Sequence, residues 1–343
     1  MYVLIREKKG ETVARRLEKL FESPIFVGTN RTPKNVCKSV VVALPGDASC
    51  EQFGLSDENW STLVEEVNVI INSAASVRFD DPIVKAVNIN CLSTMTCLQL
   101  CQQAINIESY VQVSTCYANC QLMKIDEKIY PTRVTVEHVM EMTKWIPSDE
   151  LDKICKDELY DGRPNSYVFT KSLSEDYLGR NGRGLPVAIG RLSMVVSAQK
   201  EPEPGFIDVA QAAVFVGLTQ ALGALRTFDF NLDATPEVIP VDTTANAILS
   251  IAYLTAKNHK ELNNGEIRPP KVYNITGRQV TYGQGVHHFS VEAQQQPSAR
   301  AFRPPADLSN KPSRLSYWYN RWVTEWLFVF ILEKVIRLFG FKQ

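Results

Sequence analysis

Tyr167 and Lys171 lie four residues apart in the stretch PNSYVFTKSLSE, residues 164–175. That spacing puts a phenol and an ammonium group on one helix face, about one turn from each other. The chemistry open to such a pair is proton delivery to a carbonyl oxygen while a hydride arrives from a nicotinamide. A free tyrosine, with a pKa of about 10, is a slow acid at neutral pH. An ammonium about 4 Å away, at an effective dielectric of about 20, favours the phenolate by about 4 kcal/mol. That is roughly three pKa units, which brings Tyr167 close to working pH. Thr115, at the end of the apolar run YVQVST over 110–115, would hold the carbonyl by a hydrogen bond. Each feature has an ordinary alternative. Tyr167, Phe169, Leu173 and Tyr177 after Pro164 also describe one amphipathic helix, and a threonine at a strand end also caps backbone.

These groups act together only if the fold brings them to one crevice. Strand and helix signals alternate along the chain: strands over 2–6, 39–44, 67–75, 110–115, 185–192 and 271–276, and helices over 11–22, 57–66, 82–105, around Tyr167, and over 208–225 and 243–257. This α/β alternation predicts a doubly wound, mostly parallel sheet. Several strands are continuously apolar, as expected when helices cover both faces. The expected division is a reductase domain over 1–258 and a smaller C-terminal substrate-side region over 259–343, with a Gln-, Pro-, Ser- and Arg-rich linker at 294–314. In such sheets ligands bind beyond the carboxyl ends of the strands. The strand at 67–73 leads into Ser73, Ala74 and Ala75, small residues that let a cofactor approach the backbone. Tight helix–strand packing explains them equally well.

Composition narrows the classes. Among 343 residues, 37 basic and 38 acidic side chains give a formal net charge of -1. No basic run with interleaved aromatics is present, so nucleic acid is not expected as a partner. The 8 cysteines form no CxxC and no metal set with the 4 histidines. They read as small hydrophobes in a reducing compartment. No signal peptide opens the chain. The apolar stretch WLFVFIL at 326–332 falls short of the roughly 20 residues that a spanning helix needs. It fits an interfacial helix, a peripheral membrane contact, or packing on the protein.

Ser114-Thr115-x-Tyr117 upstream of Tyr167-x-x-x-Lys171 resembles the extended short-chain dehydrogenase/reductases. LIREKKG (4–10), NSAASVRFDDP (72–82), VSTCYANC (113–120), KEPEPGFID (200–208) and VIPVDTTANAIL (238–249) narrow the resemblance to fatty acyl-CoA reductases. It runs the length of the chain and implies a Rossmann-type sheet. It also implies reduction of a long-chain acyl-CoA to the fatty alcohol, through an aldehyde, with two NADPH. By position, Tyr167, Lys171 and Thr115 are implied as catalytic, with Lys171 also on the cofactor ribose. Asn90 is implied beside the cofactor and Asp47 near the adenine. Arg6 and Lys9 sit at a strand tip where a basic residue would meet the 2′-phosphate; a solvated charge cluster is the alternative. The segment 200–240 is implied as the acyl entrance, and peroxisomal or endoplasmic-reticulum membranes, on the cytosolic side, as the location.

The match has departures. The family opens with a strand and a TGxxGxxG loop that cradles the pyrophosphate at a helix N-terminus. Here the only Gly-x-Gly pairs are Gly182/Gly184 and Gly283/Gly285, neither after an N-terminal strand. The chain reads as beginning at the family's second strand, with the first strand absent from mid-sheet. Leu192 stands where the family usually has Pro, and Ser93 where Gly is common. Two expectations follow: an enzyme with weakened NADPH binding, or an impaired homologue serving as an interaction or regulatory protein.

Overall fold

The computed structural model describes residues 1–8, 10–27, 39–209, 212–227, 229, 231–261, 267–301, 303–306, 308, 313–327 and 330. The chain forms two compact units. The first comprises residues 1–193, 200–202 and 242–276; the second comprises 194–199, 203–241 and 277–343. The units are therefore interleaved rather than consecutive: the boundary expected at 258 is replaced by crossings near 194, 242 and 277.

The first unit holds the parallel strands β1 (Tyr2–Ile5), β2 (Val42–Pro45), β3 (Val69–Asn72), β4 (Ser109–Thr115) and β5 (Val187–Leu192), and a later strand, Lys271–Ile275. They form two sheets. β1 pairs in parallel with β2, and a four-stranded parallel sheet runs β3, β4, β5 and Lys271–Ile275. Among the described strands, β1 and β3 therefore each pair on one edge only. In a doubly wound order the strand that opens the fold lies between these two positions. The α/β, mostly parallel architecture is as expected.

Helices follow the strands with the expected alternation. α1 (Val13–Phe21) lies between β1 and β2, and α2 (Asp57–Glu66) precedes β3. The single helix expected over 82–105 is two, α3 (Ile83–Asn90) and α4 (Leu92–Gln103). At their junction the Asn90 carbonyl accepts from the hydroxyls of Ser93, Thr94 and Ser174. Two seven-residue helices, α5 (Val136–Met142) and α6 (Ser148–Ile154), precede α7 (Ser166–Asn181). Hydroxyl and amide side chains start several of these helices: Thr12, Ser56, Thr135 and Asn165 each accept a backbone N–H of the first turn. Each such cap is worth about 1 kcal/mol.

The core explains the layering. Ile70, Tyr110, Val187, Ile189 and Val272, one face of the four strands, pack with Leu98 and Cys101 of α4 and Leu178 of α7. On the opposite face a long helix over 241–260 approaches β5. A Cβ at Gly190 would stand 3.5 Å from Ile251 and 3.2 Å from Ile275, so the small residue sets the close approach. Cover on that face runs out at β3: Val69 is 46% exposed and Ile71 42%, whereas Val111, which pairs with Ile71, is fully buried.

The second unit contains a three-stranded sheet whose central strand, Glu237–Pro240, runs parallel to Met194–Val196 and antiparallel to Arg278–Gln279, together with helices Ala212–Ala221 and Tyr282–Gln295. Helical turns cover 314–326. Trp318, Trp322 and Trp326 are exposed there. No described helix is long and apolar enough to cross a membrane. Most of WLFVFIL lies outside the described residues.

Candidate active site

Asn165 starts α7 with its side chain on the N–H of Val168, 2.9 Å. The Ser166 hydroxyl donates to the Asp81 carbonyl at 2.8 Å, tying this helix end to the loop after β3. From there Tyr167, Lys171 and Glu175 descend one face of α7 at successive turns. They meet the last residues of β4. Lys171 Nζ, nearly fully buried, donates to the Val113 carbonyl at 2.9 Å. Glu175 Oε1 accepts from the Ser114 hydroxyl at 2.5 Å. Thr115 contacts the Tyr167 phenol. Its hydroxyl also donates to the Leu192 carbonyl at 3.4 Å and accepts from the Tyr117 N–H at 3.3 Å. The backbone-capping reading of Thr115 is thus present in the structure, with the hydroxyl beside the Tyr167 phenol.

The expected priming of the phenol by the ammonium is outweighed by burial of the phenol. Lys171 Nζ lies 6.0 Å from the Tyr167 ring centroid and is turned to the Val113 carbonyl. Burial raises the Tyr167 pKa above its ordinary value, against a smaller opposite pull from the Thr115 hydroxyl. Burial also lowers Lys171, to about 8, against the pull of Cys91 and the Glu175 carboxylate. The phenol is thus held protonated at neutral pH, as a proton donor must be, and the lysine, not the tyrosine, titrates near working pH.

Asn90 is 1% exposed. Its amide bridges two elements: Oδ1 accepts from the Ser76 N–H at 2.8 Å, and Nδ2 donates to Thr170 Oγ1 of α7 at 2.9 Å. It thereby braces the loop over 73–82 against α7. Within that loop Ser73 and Ala74 are exposed and Ala75 half-buried, and the exposed Phe79 ring stands 5.9 Å from that of Tyr167. The Asp81 carboxylate closes the loop on Lys85 at 2.7 Å and on the Ser76 hydroxyl. Ser93, the departure from a family glycine, is accommodated: its hydroxyl donates to the Asn90 carbonyl and accepts from Asn72.

Arg6 and Asp47 occupy the tips of β1 and β2, where they pair with each other at 3.4 Å. Asp47 also accepts from the Ser49 N–H and hydroxyl. Lys9 lies outside the described residues. Every described residue expected at a strand tip is thus at the carboxyl end of a parallel strand, but in two groups on two sheets.

The residues present fit the nicotinamide half of a dinucleotide. Ser193, just beyond β5, is 6% exposed with a hydroxyl that has no partner among the described residues; an orphan of this kind suits a ligand's polar edge. It stands next to Leu192, whose carbonyl takes the Thr115 hydroxyl. Residues 1–248 match the family described as male sterility protein, an NAD-binding family.

The chain belongs to that family.

Its relatives carry reductase names. "Fatty acyl-CoA reductase wat" of Drosophila melanogaster is 32% identical over 277 residues, covering 80% of this chain and 51% of its own length. Fatty acyl-CoA reductase 1 of Mus musculus is 30% identical over 322 residues, covering 93% and 61%. The chain thus spans about half to three-fifths of the length of these relatives. Among solved structures, the terminal R domain of the myxalamid PKS-NRPS pathway aligns with a TM-score of 0.56 at 19% identity, covering 85% of this chain and 63% of that one. A thiolation-reductase di-domain from an archaeal non-ribosomal peptide synthetase aligns with a TM-score of 0.54 at 17% identity, covering 85% and 67%. The expected resemblance to fatty acyl-CoA reductases is borne out, and these structures share the Rossmann-type fold.

Sequence reading misses three features of the candidate site: the Ser114–Glu175–Arg191 cluster, the orphan hydroxyl of Ser193 and the bracing role of Asn90. The signal for the first is Arg191 itself, a guanidinium in the otherwise apolar strand LPVAIGRL, which must find a buried carboxylate.

Proposed function

We propose that this chain reduces long-chain acyl-CoA to the fatty alcohol, through the aldehyde, with NADPH. The observation that carries the reading is the meeting of Tyr167 and Lys171 with the tip of β4 at Thr115. The nicotinamide supplies hydride. In the first round the acyl carbon gains a hydride and the thioester carbon–sulfur bond breaks, releasing the CoA thiol with a proton and leaving the aldehyde. In the second, the carbon gains another hydride and Tyr167 gives its proton to the oxygen, forming the alcohol. Thr115 holds the carbonyl oxygen. Lys171 fixes the β4 tip through Val113 and faces the cofactor ribose. Ser73, Ala74 and Ala75 let the cofactor approach the backbone beside the Asn90 brace. Arg6, with Lys9, takes the 2′-phosphate, and Asp47 the adenine side. Peripheral contact with peroxisomal or endoplasmic-reticulum membranes through the terminal region is supported by the exposed Trp318, Trp322 and Trp326 beside Arg314 and Arg321.

A second reading, an impaired homologue with an interaction role, is supported by Arg6 and Asp47 pairing with each other at the tips of β1 and β2. One experiment separates the two. NADPH binding and product formation from a long-chain acyl-CoA are measured for the chain as it stands and with an apolar strand and TGxxGxxG loop fused ahead of Met1. The enzyme reading expects the fusion to strengthen NADPH binding and raise alcohol formation by more than about tenfold, because β1 and β3 each leave an edge to pair. No alcohol or aldehyde from either form would leave the interaction reading.

A further inference from the structure

Among the described residues, the most enclosed ion pair touches the proposed site without belonging to its reacting groups. Arg191 is 0% exposed and Glu175 1%. Arg191 Nε lies 3.0 and 3.2 Å from the two Glu175 oxygens, and Nη2 lies 2.7 Å from Oε2. Two further guanidinium hydrogens go to backbone: Nη1 donates to the Asp126 carbonyl at 3.0 Å and Nη2 to that of Lys128 at 2.8 Å. The Tyr130 ring lies 5.7 Å from the guanidinium carbon. The carboxylate's other contact is the Ser114 hydroxyl, the residue before Thr115.

Such a pair adds little net stability, since apolar residues of equal volume usually serve as well. What it supplies is a fixed register. Tyr167, Lys171 and Glu175 stand at successive turns of α7, and they engage Thr115, Val113 and Ser114, three consecutive residues of β4. Glu175 is the deepest of the three fastenings and the one that reaches a second strand.

We infer that Glu175 and Arg191 are positioning residues, which lock α7 to the tips of β4 and β5 and so set where Tyr167 and Lys171 stand relative to Thr115. The inference rests on the proposed reductase reading for its consequence, though not for its geometry. The groups facing Lys171 are Tyr167 and Glu175 on α7, Cys91 between α3 and α4, and the uncharged Val113–Thr115 tip of β4; Arg191 on β5 acts through Glu175.

The test is a variant in which both charges are replaced at similar volume, Glu175→Leu with Arg191→Met, so that neither partner is left buried alone. Folding is followed by circular dichroism and thermal melting. Turnover of a long-chain acyl-CoA with NADPH is resolved into kcat and KM. The ionisation of Lys171 is followed by NMR of lysine labelled at Cε. The expected result is a folded variant with kcat reduced about tenfold or more, KM for both substrates little changed, and a Lys171 signal that titrates below its value in the intact protein because the nearby carboxylate is gone. A folded variant with unchanged kcat and an unchanged Lys171 titration would overturn the inference. If the double variant does not fold, Arg191→Lys, which keeps both charges and loses the two-pronged fork, is expected to fold with the same loss of kcat, and an unchanged kcat would overturn the inference. If the intact protein turns nothing over, the reductase reading fails, and the fastening is read instead from amide hydrogen exchange at Val113–Thr115, where protection equal in Arg191→Lys and the intact protein would overturn the inference.

Discussion

Two sheets of one unit carry the two halves of the proposed cofactor site, and they are built differently. In β4 all seven residues are buried, and the polar ones at its tip are held by α7 and β5. In β1 and β2 the strands are four residues long, partly exposed, and their tips carry an ion pair whose side chains are 52% and 30% exposed. Exposed pairs of this kind contribute about 0–1 kcal/mol. The half that would do chemistry is fixed by burial, and the half that would choose the cofactor is held by screened charge. Substitutions in the first should therefore act on rate and stability, and in the second mainly on binding.

The largest effect is expected from Tyr167→Phe. Removing the phenolic proton while keeping the ring on Phe79 should lower reduction by about a hundredfold or more, with NADPH binding nearly unchanged. Steady-state rates and cofactor titration of the variant check this. A mild loss would mean that another group supplies the proton and that β4 and α7 position something other than the reacting acid.

Next is the pH dependence of stability. Lys171 holds its proton to an ordinary value of 10.5 when unfolded but only to about 8 when folded. Below pH 8 both states are protonated and the burial penalty is fully present. Between about 8 and 10.5 the unfolded chain holds more proton, so this group's contribution to stability rises with pH, by on the order of 3 kcal/mol across the window. Cys91 and Cys97, pushed up to about 12 by burial, act in the opposite sense above pH 9. The measurement is therefore a difference: denaturant unfolding of the intact protein and of Lys171→Met from pH 7 to 10.5, where the intact protein should gain on the variant. Parallel curves would mean that the ammonium is solvated and the β4 fastening is absent.

A smaller effect is expected at the other sheet. Arg6→Glu should weaken NADPH about tenfold, leave NADH within about twofold, and change stability by less than about 0.5 kcal/mol. Equal losses for the two cofactors would show that Arg6 does not read the 2′-phosphate.

This contrast also governs what the sequence discloses. Strands of the first unit are legible because parallel strands covered on both faces read as apolar runs, as LPVAIGRL does over the buried residues of β5. The alignment of Tyr167 with Lys171 is legible from helical spacing. The direction of the lysine is not, because spacing says nothing about whether Nζ turns to a phenol or to the Val113 carbonyl; nor is the burial that reverses the expected shift of Tyr167. The helices at 136–142 and 148–154 escape because seven residues carry too few apolar positions to establish a period. The interleaved units escape because 242–276 returns to the first unit by pairing Lys271–Ile275 with β5, a contact 83 residues away, Ala188 with Lys271, that no local pattern announces.

The smallest predicted effect is the most direct measure of how far the buried sheet extends. Val69 and Val111 lie on one face of adjacent strands, Val69 46% exposed and Val111 0%. A hydroxyl introduced by Val111→Thr has no water and no ready partner, and should cost about 1–3 kcal/mol. The same change at Val69 meets solvent and should stay within about 0.5 kcal/mol. Urea unfolding of the two variants compares them on one scale. Were Val69→Thr to cost as much as Val111→Thr, the edge and face of β3 would be covered in solution, by a second copy or another chain segment. The loss would then depend on protein concentration in the first case and not in the second, because only association between copies is governed by mass action.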